Sequence, residues 1–510
     1  MRRLMIAAAA AMTFSFGLST SAGARAADDP PKSETAKADA KGGDKDKIDL
    51  PPFPADASVK QVTHVAGKTL NYTATVGSLP VRDEKGKKIG EVVFTAYILD
   101  GPKDPSRPVT FAFNGGPGAA SVYLNLGAIG PKRVQFGAQG DSPSDPAVLV
   151  DNPGTWLDAT DMVFIDPIGT GFSRSLVDKD ESKKHFYSIK PDIEYLSRIV
   201  YDWLLKNGRM ASPKYITGES YGGYRVPRIT YFLQTRLGVG ISGMVMVSPY
   251  LEPPMDQAPD FSPMTWVTTL PPMAAANYER QGKTLSPALM KEVEDYARGD
   301  FVTDLMKGRR DPAAVDRLVA KVTAYTGLDP AFVKRSGGRI EIGAFLRELY
   351  RDKGKIGSVY DSNVTQDDPF PWSPQGKRGD PILDAIIAPT TSAMVDFDTR
   401  IVGWKVEGRF NALSYEVGSD WEPGVELTEA TTDLRQAIAA DPKMKVLIAH
   451  GYDDLSCPYF VSRLVIDQMP ITGDQGRVKL SLYPGGHMFY SRPASQAAFR
   501  SDVMAVFGAR

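Results

Sequence analysis

The sequence predicts an α/β fold: a mixed, mostly parallel sheet with an inserted, largely helical cap. Three observations predict it. Short apolar runs recur along the chain, each ending in a Gly- or Pro-containing loop. Helical spacing of apolar residues stands between them. One long stretch, from about Leu251 to Pro423, breaks the alternation.

The bulk properties fit a large core. The chain has 510 residues, of which 42% are hydrophobic and 24% charged, an ordinary globular balance. Its formal net charge of −1 points to neither nucleic acid nor an anionic membrane surface. Arg2 and Arg3, an apolar run from Leu4 to about Leu18, and Ala24-Arg25-Ala26 have the layout of a signal peptide over residues 1–26. Its removal would take away three arginines and no acid, shifting the charge from −1 to −4. No later run is long enough to span a membrane, so the expected mature chain is periplasmic or secreted. Cys457 is the only cysteine, which excludes an intramolecular disulfide; a core of this size does not need one. Residues 27–57, rich in Asp, Lys, Ala and Pro, read as a disordered linker.

The sheet domain is expected over residues 58–250 and again over 424–510, with the cap at 251–423 between them. Tyr72–Val76 and Val92–Tyr97 alternate in polarity around the turn-like Asp83-Glu84-Lys85-Gly86, predicting antiparallel edge strands. Buried strands follow at Val109–Phe113, Met162–Ile165, Tyr215–Thr217, Met244–Val247, Val446–Ala449 and Val478–Leu482. Ile193, Leu196, Ile199, Val200, Trp203 and Leu204 share one helical face, with Pro191 near its start and Asn207-Gly208 at its end. The cap carries helix-like segments at Pro287–Leu305, Pro312–Thr326 and Ile342–Arg351.

One junction carries chemistry. Tyr215-Ile216-Thr217 runs into Gly218-Glu219-Ser220-Tyr221-Gly222, a G-x-S-x-G between a strand and a helix-compatible stretch. Such a turn lifts the serine oxygen above the strand ends and aims the next N–H, that of Tyr221, at a developing oxyanion. Ser220 is therefore the candidate nucleophile, and the fold class narrows to an α/β-hydrolase fold. Asn114-Gly115-Gly116-Pro117-Gly118 follows an earlier strand and offers Gly116 N–H as the second donor.

The base must come from four histidines. His64 lies on the edge strands and His185 follows a charged stretch. His487, in Gly485-Gly486-His487-Met488 after the last strand, fits the order serine, acid, histidine; His450 at a strand end is the alternative. The acid is Asp454 or its neighbour Asp453. Adjacent side chains on an extended segment point apart, so one of them faces His487, and Asp454 is chosen. The lone cysteine gives no metal-ligand spacing, and the glycine loop lacks the Lys and Ser/Thr of a phosphate loop. Neither a metal nor a cofactor is expected.

These segments, with Asn152-Pro153-Gly154-Thr155-Trp156 and Ile165 through Ser173, resemble the serine carboxypeptidase family (peptidase family S10) and suggest a bacterial-type member. The resemblance implies a Ser220–Asp454–His487 triad that releases C-terminal amino acids, usually best at acidic pH. It also implies that Asn114, Gly115 and Glu219 bind the substrate's free carboxylate, Glu219 sharing a proton with it. Two departures bear on that site. Ala112 stands where the family commonly has tryptophan, and Ala128 stands where it has a second glutamate. A cation from Arg225, Lys132 or Arg133 is one replacement; the other reading has Arg225 facing solvent from its helix and the other two covering a loop. The expected function is a carboxypeptidase-like hydrolase acting on a peptide or acyl substrate. A cap-bearing esterase or acyltransferase on the same triad, and a non-catalytic binding protein on the same fold, are the alternatives. Oligomeric state is not legible.

Overall fold

The structure is a computed structural model that describes residues 50–508, apart from Lys103, 136–142, Asp145, Gln257, 259–260, 374–378, 423–428 and 471–472. The expected signal peptide and most of the expected linker lie outside the described residues, as does the expected boundary at 423–424.

Nine strands form the path of the main sheet: β1 (Ala57–Val65), β2 (Lys68–Arg82), β3 (Lys88–Leu99), β4 (Val109–Phe113), β5 (Asp161–Ile165), β6 (Lys214–Glu219), β7 (Gly243–Val247), β8 (Lys445–Gly451) and β9 (Val478–Tyr483). Their order is β1-β2-β3-β5-β4-β6-β7-β8-β9, and the two-residue strand Arg174–Ser175 pairs with β3 off this path. The first four in that order pair antiparallel, and β5 through β9 pair in parallel. Each strand anticipated from the apolar runs is present. β1 is a strand beyond those the sequence predicts: it begins at Ala57, the last residue of the expected linker, and pairs with β2 over its whole length, from Ala57↔Val76 to Val65↔Lys68.

The inner parallel strands, β4 to β8, are buried on both faces, which is why they read as continuous apolar runs. Val109, Phe111 and Phe113 of β4 point into one core and Ala112 into the other. The first core is closed by α1 (Ile189–Lys206), α2 (Tyr221–Arg236) and α3 (Thr431–Ala440). On the second face lie the π-helical turn Leu124–Ile129 and the C-terminal helix Pro493–Phe507.

Between β7 and β8 the chain leaves the sheet, and this stretch has two parts. From the helix Met264–Arg280 to the helix Ile342–Glu348 it encloses a third core around Leu270, Met290, Phe301, Leu318 and Phe345. Tyr452, Leu455, Tyr459 and Phe460, which follow β8, pack into that same core. Ala393, Phe397, Trp404 and Phe410 instead join the second face of the sheet.

Trp203 of α1 is 1% exposed and meets Phe111 of β4 edge-on, ring centroids 5.4 Å apart. Trp203→Ala should cost about 3–5 kcal/mol, read as a lower midpoint in urea unfolding; a change within error would show that α1 does not anchor the sheet.

Candidate active site

The C-terminal ends of β4, β6, β8 and β9 meet at one edge of the parallel sheet, where open α/β sheets place their sites. Ser220 follows β6 and precedes α2, with φ 60° and ψ −126°. A non-glycine residue held there is strained, and the surrounding bonds hold it. Its N–H donates to Val247 O at 3.0 Å, and its carbonyl accepts from Gly223 N at 2.8 Å and Tyr250 N at 3.1 Å. The turn is tight enough that a Cβ on Gly218 would sit 2.2 Å from Gly222 O.

The glycine loop after β4 abuts this turn. A Cβ on Gly115 would lie 2.5 Å from Tyr221 N, so only glycine lets the two backbones come together. Gly115 is buried and Gly116 is exposed, leaving the Gly116 backbone accessible beside the Tyr221 end of α2.

The acid and base come together in the predicted pairing. His487 Nδ1 is 2.7 Å from Asp454 Oδ2, with side-chain exposures of 3% and 0%. The other Asp454 oxygen accepts Ser456 N at 2.8 Å and Cys457 N at 2.9 Å. Burial alone would lower the His487 pKa; the charge and hydrogen bond of Asp454 outweigh it, and the net shift is well upward. This environment favours the imidazolium form of His487. The His487 backbone is held as well: its N–H donates to Tyr360 O at 2.5 Å, and Ser248 Oγ donates to its carbonyl at 2.8 Å. The Tyr360 ring meets the imidazole edge-on at 5.2 Å.

The other histidines are occupied elsewhere. His450 is fully buried against Ser462 Oγ at 2.8 Å, and burial drops its pKa to about 3. His64 pairs with Asp151 and His185 with Glu181. Cys457 is buried, with Sγ 3.9 Å from Ser220 Oγ and a hydrogen bond to His487. Its thiol thus lies against the side chains of both Ser220 and His487.

Behind the serine, Glu219 is 1% exposed. Asn114 Nδ2 donates to its Oε2, and Tyr490 OH donates to its Oε1 at 2.7 Å. Burial raises the Glu219 pKa against the opposing pull of His487, Tyr490 and Asn114. Asn114 Oδ1 in turn accepts Leu124 N at 2.8 Å. Ala112 and Ala128 are both buried and bring no polar side chain to this network.

Arg225 fits neither reading the sequence offers. Its side chain is 1% exposed and points inward, pairing with Asp192 through Nε at 2.7 Å and Nη2 at 3.1 Å. Nη1 donates to Asn114 O at 2.7 Å. It braces the glycine loop from behind, because Asp192 of α1 lies beside α2 and captures it. Lys132 is spent on Asp151, and Arg133 lies on the same hairpin strand, Lys132–Gln135. Sequence reasoning missed Tyr490, Ser248 and Tyr360. Only Tyr490 left a trace, as a hydroxyl three residues after His487.

Comparison with known proteins bears on the fold and on the part of the chain around Ser220. A sequence model of the serine carboxypeptidase family matches residues 71–259, which include Asn114, Glu219 and Ser220 but not Asp454 or His487. Serine carboxypeptidase-like 50 of Arabidopsis thaliana is 31% identical over 159 residues, 31% of this chain and 33% of that protein. Pheromone-processing carboxypeptidase KEX1 of Saccharomyces cerevisiae is 32% identical over 163 residues, 30% of this chain and 21% of that protein. The matched region is thus a third or less of each relative's length. The crystal structure of Kex1(delta)p, a prohormone-processing carboxypeptidase from Saccharomyces cerevisiae, superposes with TM-score 0.56 at 16% identity. It covers 86% of this chain and 91% of that one. The fold is therefore the α/β-hydrolase fold, with a mixed, mostly parallel sheet.

Two substitutions test the site as built. Asp454→Asn keeps the shape but not the charge, and should lower kcat on any turned-over substrate by about 10⁴-fold; a loss under tenfold would remove Asp454 from the triad. Arg225→Met leaves Asp192 buried without its cation and should cost about 3–5 kcal/mol of stability, measured by urea unfolding. If Arg225 were a substrate ligand instead, stability would be unchanged and only KM would rise.

Proposed function

We propose that this chain is a serine carboxypeptidase-like hydrolase that works through an acyl-enzyme. The observation that carries the proposal is the buried Asp454–His487 pair at 2.7 Å beside the strained Ser220 turn. In the proposed reaction Ser220 Oγ attacks the carbonyl carbon of the scissile bond and His487 takes the serine proton. Asp454 holds the imidazole tautomer and balances its charge. The N–H groups of Gly116 and Tyr221 receive the oxyanion. The tetrahedral intermediate collapses as His487 returns the proton to the leaving amine, and water, activated by the same histidine, releases the acyl group. The Cys457 thiol, in contact with both Ser220 and His487, must yield for the serine–histidine bond to form in the substrate complex.

For the leaving group, Asn114, Gly115 and Glu219 are the proposed carboxylate site. Glu219 sits between Asn114 and Tyr490 with its pKa raised, so it carries a proton over a wider range than a solvated glutamate. A protonated Glu219 can share a hydrogen bond with the substrate carboxylate; an ionised one repels it. Tyr490 takes the place at Glu219 that the resemblance assigns to a second glutamate, supplying a neutral donor.

The helical stretch from Met264 to Glu348 is the proposed cap over this end of the sheet, and the proposed substrate is a peptide C-terminus. An esterase or acyltransferase is the second reading, favoured by the small, apolar Ala112 and Ala128. Among the described residues no helix is long and apolar enough to cross a membrane. Export to the periplasm or the exterior is proposed from the N-terminal sequence. The relatives reported above are plant and fungal, so the bacterial type is proposed on the sequence alone.

The reading is tested with one peptide series as free acids, amides and simple acyl esters. KM for the free acids should rise as pH climbs through the Glu219 titration, while KM for the amides stays flat. Glu219→Gln should abolish that slope. Tyr490→Phe removes a bond that favours ionised Glu219, so the KM rise should move to higher pH. Turnover of esters alone would replace the peptidase reading with the esterase one.

A further inference from the structure

A cluster of charged side chains outside the triad joins the helical stretch to both catalytic loops, and the reaction described above does not use it. Its centre is Arg492, five residues after His487 and one residue before the C-terminal helix. Nη1 pairs with Glu279 Oε1; Nη2 lies 3.1 Å from Glu279 Oε2, 2.7 Å from Asp361 Oδ2 and 3.9 Å from Asp453 Oδ2. The three carboxylates come from three separate segments. Glu279 ends the helix Met264–Arg280, Asp361 directly follows Tyr360, and Asp453 directly precedes Asp454.

Further groups close the cluster. Asn363 Nδ2 donates to Glu279 Oε2 at 2.9 Å and reaches Asp453 Oδ2 at 3.5 Å, while its backbone N–H donates to Asp361 Oδ1 at 3.1 Å. Arg280 holds Asn363 Oδ1 at 3.0 Å, and Tyr350 OH lies 3.2 Å from that same oxygen. Glu279, Asp361 and Asp453 each have a carboxylate oxygen within 4.8 Å of the others, the spacing of a cation site. Arg492 already supplies the cation.

What this cluster holds is the His487 backbone. Tyr360 O, next to Asp361, accepts the His487 N–H. Gly485 O accepts Asp453 N at 2.9 Å, and Val359 O accepts Leu455 N at 3.1 Å. Packing here has no slack: a Cβ on Gly486 would sit 1.8 Å from Tyr360 O. A loop carrying Asp361 that moved by an ångström would carry the Tyr360 carbonyl off the histidine.

We propose that Arg492 is a positioning residue: by drawing Glu279, Asp361 and Asp453 together it clamps the Tyr360 carbonyl onto His487 and fixes the imidazole opposite Ser220. The inference rests on Ser220 and His487 acting as nucleophile and base, and it goes beyond that reading in assigning the helical stretch a part in the chemistry. Without the guanidinium, three carboxylates face one another. Ion pairing and hydrogen bonding hold Glu279 down to about 2 against burial. Burial and the neighbouring acids push Asp453 well up, and burial raises Asp361 as well. Loss of the cation raises all three, so their mutual repulsion is strongest at neutral pH and fades as acid protonates them.

The test uses the full chain, one ester substrate and the rate of Ser220 labelling by a fluorophosphonate. Arg492→Met should lower kcat and the labelling rate together by about 100-fold at neutral pH, the scale of an ångström's misplacement. The deficit should shrink as pH falls and the carboxylates, left without their cation, take up protons. Glu279→Gln added to Arg492→Met should recover part of the neutral-pH loss. Arg492→Lys keeps the charge but cannot span Glu279 and Asp361 together, and should show a smaller deficit with the same pH slope; it serves if the methionine variant does not fold. A deficit of equal size at every pH, no recovery with Glu279→Gln, or an effect on KM alone would overturn the proposal. A wild-type protein that the probe does not label would instead overturn the reading of Ser220, and this inference with it.

Discussion

The arrangement depends on one buried contact, that between Asp454 and His487. A carboxylate withdrawn this far from water is tolerated only when its oxygens are satisfied and a cation stands near. Asp454 meets the first condition with two backbone N–H groups of its own turn and one imidazole N–H. That requirement fixes the register of β8 against β9. Gly451 pairs with Tyr483, so the two loops that follow start level and can meet after three and four residues. A slip of one residue would turn the side chains of β8 to the other face and set the two loops out of step.

Asn114 is the second junction. Its carbonyl accepts from Arg225, its amide donates to Glu219, and its side-chain oxygen accepts from Leu124. One residue therefore couples a buried ion pair on one side of the elbow to a buried carboxylate on the other. The glycine loop gains its shape from this and needs no substrate to form it. Preorganisation of this kind is what makes an oxyanion site effective, since its dipoles do not have to be reoriented during the reaction.

Much of this was legible in the sequence. The inner strands stood out because a strand buried on both faces is an unbroken apolar run. Ser220 and His487 stood out because glycines crowd around them, and Asp454 because chain order left few acids after a strand. Arg225 was misread because its fate is decided by Asp192, 33 residues earlier on another helix, and no local pattern reports that. Asp453 lies in the turn after β8. The alternation argument correctly allowed only one of the two acids to face His487, but it does not say what the other faces, and Asp453 is as buried as Asp454. Tyr360 and Gly485 act through backbone carbonyls, which any residue could supply. Their contribution leaves no mark on composition or spacing.

The shared third core and the Tyr360 carbonyl together change what the helical stretch is. Tyr452, Leu455, Tyr459 and Phe460, which come after β8, pack into it, and Tyr360, which lies between it and β8, accepts the His487 N–H. It is therefore not a module that can be lifted off or exchanged whole. A chimera carrying a foreign stretch between β7 and β8 would lose the backbone support of His487 unless residues 358–363 of this chain were kept. Grafting is better confined to the helices Pro287–Tyr296 and Pro312–Thr326, leaving the 358–363 loop in place beside His487.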